Sequence, residues 1–166
     1  MKCMTKYVVA ALASLLATST AAAQIVRHKE AGALPILQAV TIPPGAETLM
    51  LSGQVPSPID PAKPASTLEA YGDTRTQTIS TLRKIEAILR ARGYAMSDVI
   101  RMTVFLVADP RRGEGRMDFA GMNEGFRQFF GTAANPSTVA RSTVQVAGLA
   151  APHYLVEIEV TAAKVR

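Results

Sequence analysis

Along residues 35–166 the apolar positions fall into seven blocks, some with the period of a strand and some with that of a helix. ILQAVTI (36–42) and ETLMLSGQV (47–55) are rich in β-branched and apolar residues, and PPGA between them reads as a tight turn, so a hairpin is expected. PSPIDPAKPAS (56–66) holds four prolines and cannot form a regular element. Ser66 and Glu69 have the spacing of a capping box. Beyond them Leu68, Tyr71, Thr78, Leu82, Ile85 and Leu89 recur near helical spacing until Gly93, predicting a long helix. The run from Val99 to Val107 is apolar on both alternating sets, which predicts a central strand covered on both faces. After the charged loop PRRGEGR (110–116), Phe119, Met122, Phe126, Phe129 and Phe130 form a stripe, predicting a second helix over 117–130 that ends at Gly131. Two more strands, 139–147 and 154–163, close the chain. The order β-β-α-β-α-β-β implies an α+β fold, a mixed sheet with both helices on one face, and leaves the other face to be covered by association of subunits.

The first residues follow a different rule. Lys2 and Lys6 precede an apolar run from Tyr7 to Leu16, and small residues follow up to Ala21-Ala22-Ala23. This is the layout of a secretory signal peptide, residues 1–23, cleaved after Ala23; an irregular amphipathic N-terminal helix is the alternative. The apolar run is too short to span a bilayer, which takes roughly 20 residues, so no membrane association is expected after cleavage and a secreted, periplasmic location is. Residues 24–34 show no clear period and read as an N-terminal tail or an extra edge segment, leaving 35–166 as a single domain.

Removing that segment changes the chemistry available. Lys+Arg falls from 18 to 16 against 13 Asp+Glu, a net charge of +3 with the basic residues dispersed, which offers little to a nucleic acid. Cys3, the only cysteine, leaves with it, and with it any thiol nucleophile, disulfide or cysteine-based metal site. His28 and His153 have no recognisable metal-ligand spacing, and His153, beside Pro152, is expected in an exposed loop. Gly113, Gly115, Gly121 and Gly125 match no phosphate-binding loop.

The chemistry concentrates in the last two strands. Period two puts Val139, Arg141, Thr143 and Gln145 on one face of the first, and Leu155, Glu157, Glu159 and Thr161 on one face of the second. If these strands are neighbours, Arg141 and Glu157 can share a patch. There the planar guanidinium could grip a carboxylate through two hydrogen bonds and the glutamate could hold a water. A plain Arg141–Glu157 salt bridge at a subunit interface satisfies the same spacing.

VARSTVQVAGLAAPHYLVEIEV (139–160) closely resembles the C-terminal signature of the Rid family (YjgF, reactive-intermediate deaminases), and LSGQVP (51–56), DVIRMTVFL (98–106) and MNEGFRQFF (122–130) resemble its other segments in the same order. The resemblance spans about 34–164. It implies a chorismate-mutase-like (YjgF-like) fold, a homotrimer with ligand clefts between subunits, and hydrolysis of 2-imino or 2-enamino acids to 2-oxo acids and ammonia with no metal and no cofactor. It further implies Arg141 as the carboxylate anchor, Glu157 as the residue positioning water, and Ser52, Gly53, Asn123 and Thr143 as substrate-binding neighbours. Two positions depart from the family pattern: Ile36 stands where a tyrosine is usual and Thr143 where a cysteine is. A non-catalytic binding protein for small carboxylates is the alternative reading. A ribonuclease, a name sometimes attached to the family, would need the basic cleft that the charge does not provide.

Overall fold

The computed structural model describes residues 23–29, 35–113 and 115–165; the expected signal segment lies outside them except for Ala23. Among the described residues six strands and two α-helices are formed: β1 (Val26–His28), β2 (Ala39–Thr41), β3 (Glu47–Gln54), α1 (Thr74–Ala91), β4 (Val99–Leu106), α2 (Phe119–Phe126), β5 (Ala140–Gln145) and β6 (Val156–Lys164). The main sheet has the order β3-β6-β4-β5, parallel between β4 and β5 and antiparallel elsewhere. Both helices pack on one face of this mixed sheet, the α+β arrangement expected from the element order.

Helix α1 buries Leu82, Ile85 and Leu89 completely, at the spacing of one helix face. It begins at Thr74 rather than near Ser66. Asp73 is the N-cap, its carboxylate accepting from the Thr76 N–H at 2.8 Å. The expected capping box fails because Leu68–Ala70 is only a single 3-10 turn, after which Gly72 turns the chain at φ +81°. Helix α2 crosses α1 closely at Gly125, where a Cβ would meet the Thr78 Cβ at 2.9 Å. The core then fills with Met122, Phe126 and Phe130 against Met102, Val104, Leu106, Ile158 and Val160. Gln77, fully buried, ties α1 to the last strand: its amide donates to the carbonyl of His153 at 3.0 Å and accepts from the Leu155 N–H at 2.8 Å.

Two expectations about the sheet need correction. Strands β2 and β3 do not form a hairpin: β2 pairs with β1, and β3 with β6. Pro43 and Pro44 remove two N–H donors where that ladder would begin, and the segment 24–34, read as a tail or an extra edge segment, supplies the partner strand instead. Leu37 reaches the main sheet through one parallel bridge to Ala140. The central strand β4 is covered on one face only within the chain. Met102, Val104 and Leu106 are fully buried under the helices, whereas Arg101 is exposed and Thr103 and Phe105 half-buried on the open face.

Candidate active site

Arg141 sits on β5 in register with Met102 of β4, so its side chain rises from the helix-covered face. There the guanidinium lies over the Phe126 ring at 4.4 Å and near the Phe119 ring at 5.9 Å. Its Nη2 donates to Asn123 Oδ1 at 2.7 Å and its Nη1 approaches Met122 Sδ at 3.7 Å. No carboxylate pairs with it among the described residues. Burial, and next the positive charge of Arg127, push its pKa down to about 10, so it stays charged near neutrality. A half-buried cation with no carboxylate partner among the described residues has the charge and the free N–H groups that an anion would use. Thr143, two residues on and on the same face, has a buried hydroxyl with no hydrogen-bond partner among the described residues, adding a polar group on the same strand.

Glu157 is elsewhere. It is in register with Phe105 of β4, on the open face of the sheet, and β4 lies between β5 and β6. Period two assigned each residue correctly to a face of its own strand, but the shared patch expected for Arg141 and Glu157 does not form within one chain. The neighbour of Glu157 is Gly53 of β3, at an irregularity in the β3–β6 ladder between Leu51 and Gln54. A Cβ on Gly53 would collide with the Glu157 carboxylate and lie 2.8 Å from its Cδ. Glycine is therefore what lets this carboxylate lie against bare backbone. Ser52, beside it, is exposed. The predicted site residues thus fall into two groups, candidate half-sites: Arg141, Asn123 and Thr143 on the helix side, and Glu157, Gly53 and Ser52 on the β3–β6 side.

This sequence matches a family model described as Endoribonuclease L-PSP over residues 32–164. The chain belongs to the Rid (YjgF) family. A RutC family protein of Pyrococcus horikoshii is 40% identical over 116 residues, covering 70% of this chain and 79% of its own. The 2-iminobutanoate/2-iminopropanoate deaminase of Escherichia coli K12 is 32% identical over 132 residues, covering 80% and 88%. Among solved structures, the Rid protein YyfB of Yersinia pestis superposes with a TM-score of 0.59 at 25% identity, covering 78% of this chain and 87% of that one. Escherichia coli TdcF with bound serine gives 0.54 at 31% identity, covering 80% and 91%. Imine deamination is thus an activity found within the Rid family.

Other features of this Rid-family chain were not anticipated from its sequence. Gln145, on the same face as Arg141 and Thr143, accepts from the Met117 N–H at 2.9 Å and donates to the Gly115 carbonyl at 3.0 Å, fixing the approach to α2. Period two pointed to its face, but nothing in the sequence marked what it would hold. His153 is not an exposed loop residue: its ring stacks on Tyr71 at 4.7 Å and meets Tyr154 edge-on at 4.4 Å, with Nδ1 buried. It belongs to the packing of the β5–β6 connection and stands in neither half-site. No group of three His, Cys, Asp or Glu among the described residues could hold a metal ion.

Proposed function

We propose that this protein hydrolyses 2-imino or 2-enamino acids to 2-oxo acids and ammonia, as a homotrimer whose sites assemble between neighbouring subunits. The observation that carries the reading is Arg141: half-buried, stacked on Phe126, held by Asn123, and paired with no carboxylate among the described residues. It would take the substrate carboxylate through two parallel hydrogen bonds, a geometry lysine does not offer. The relatedness to the Escherichia coli deaminase supports the same assignment.

In this scheme the open face of one subunit brings Glu157 and Gly53 to the Arg141 side of the next. Glu157 orients a water whose oxygen adds to the imine carbon while the C=N electron pair moves to nitrogen. The tetrahedral adduct then forms its carbonyl as the C–N bond breaks, and nitrogen leaves with the transferred protons as ammonia. The Thr143 hydroxyl and the backbone beside Gly53 border the reacting centre. The N-terminal segment would direct the protein out of the cytoplasm, to the periplasm, and be removed.

The test is ammonia release by residues 24–166 from 2-imino acids generated in situ by an amino-acid oxidase, with Arg141→Ala in parallel. Acceleration that disappears in the variant is expected. A folded oligomer that binds 2-oxo acids without accelerating hydrolysis would replace this reading with carboxylate binding, for which Ile36 in the place of the family tyrosine is the relevant departure. Cleavage of RNA with strong salt sensitivity would replace both.

A further inference from the structure

Helix α2 and its two caps carry three ionisable side chains, and they are not treated alike. Asp118 at the N-cap meets Arg112 at 3.2 Å, and Glu124 meets Arg75 at 3.3 Å. Arg127 at the C-cap is exposed, and its side chain makes no ion pair among the described residues. Both acids of the helix are neutralised from neighbouring elements, and its arginine is not.

Position makes this useful. The Arg127 N–H donates to the Asn123 carbonyl at 3.0 Å, one helical turn back, so both side chains leave the same face of α2. Phe119 lies one turn before Asn123 in the same line. Asn123 in the middle holds Arg141, and Phe119 at one end is 46% exposed and 5.9 Å from its guanidinium. Along this line of α2, Phe119 thus lies one turn to one side of the residue that holds Arg141, and Arg127, without an ion pair among the described residues, one turn to the other. The charge of Arg127 is felt at Arg141, where it opposes the guanidinium's own charge. These two like charges, with no ion pair to either among the described residues, repel, and a ligand with two anionic groups would relieve both.

We propose that Arg127 is a specificity-determining residue that binds a second carboxylate, so that the preferred substrates are 2-imino acids derived from dicarboxylic amino acids. This rests on Arg141 taking the first carboxylate, as proposed above.

Two measurements test it on residues 24–166. The first is kcat/KM for the imines of aspartate and glutamate against those of alanine and leucine, each generated by a matched oxidase. The second is calorimetric binding of 2-oxoglutarate against 2-oxobutanoate, which needs no turnover. We expect a preference for the diacid of roughly ten-fold, the size of a charge-assisted contact. Arg127→Ala should abolish it through KM while leaving monoacids unchanged, Arg127→Lys should retain most of it, and Arg127→Glu should invert it. Equal handling of both classes by the unmodified protein would overturn the proposal, as would an Arg127→Ala variant that weakens both equally. Arg127-dependent diacid binding with no turnover of any imine would keep this assignment and remove the deaminase reading instead.

Discussion

The two half-sites are built under opposite constraints. On the helix side, Arg141 is set among Phe126, Met122 and Asn123, so the cation is fixed by groups that also form or border the core. On the open side, Glu157 rests against the backbone of Gly53, beside exposed Ser52 and next to a sheet face bearing Arg101, Thr103 and Phe105. One half is finished by folding; the assembly proposed above would finish the other with a neighbouring chain. The difference separates what packing alone can hold in place from what needs a second surface.

The strongest way to break that comparison is complementation. Arg141→Ala and Glu157→Ala are each expected to lower activity on 2-imino acids by about 100-fold, the upper end for a lost charge-assisted contact. Mixing the two unfolded variants and refolding them together should restore about a quarter of wild-type activity, because random assembly around a closed ring juxtaposes intact halves at about that frequency. No recovery from a mixture that has exchanged subunits would mean that the two residues do not serve one inter-subunit site.

Stability divides the halves in the next test. Phe126, 1% exposed and stacked on Phe130 at 4.7 Å, should cost about 3–5 kcal/mol when cut to alanine, taking activity with it. Arg141→Ala should leave the urea midpoint unchanged or raise it, since it removes a desolvated charge that no acid among the described residues offsets. A large loss of stability in Arg141→Ala would show that the arginine is a structural member of the core and not a waiting anchor.

Gly53→Ala probes the open half at smaller scale. The new Cβ displaces the mobile end of Glu157 and not backbone, so the expected outcome is a melting temperature close to wild type with kcat lowered roughly ten-fold. Unchanged kinetics would mean that the resting place of this carboxylate is irrelevant to turnover. The smallest effect concerns α1: Asp73→Ala should cost about 1 kcal/mol and Ser66→Ala less than about 0.5 kcal/mol, measured by denaturant unfolding.

Ser66 shows where sequence reading stopped. Its spacing to Glu69 met the capping pattern, yet the deciding fact was Gly72 taking a positive φ and restarting the helix at Asp73, which no local pattern records. Helical periodicity in α1 and α2 was readable because a buried face repeats within one element, as Leu82, Ile85 and Leu89 do. The pairing of β5 and β6 was not, because alternation tells which residues share a face of one strand but is silent on strand order. With β4 between them, the register sets Arg141 level with Met102 and Glu157 level with Phe105, three residues apart on β4, so the two point to opposite sides. The candidate site residues came from the family resemblance one by one, whereas Arg127 and Gln145 needed the folded neighbourhood of Asn123 and Met117 to acquire meaning.

The buried amide of Gln77 adds a dynamic consequence. The Leu155 N–H is held by this helix side chain at 2.8 Å rather than by a neighbouring strand, immediately before β6 begins. Its exchange with solvent deuterium therefore follows the undocking of α1 from the sheet, not the fraying of the sheet itself. A single amide at the entrance to β6 becomes a clock for the separation of the two layers.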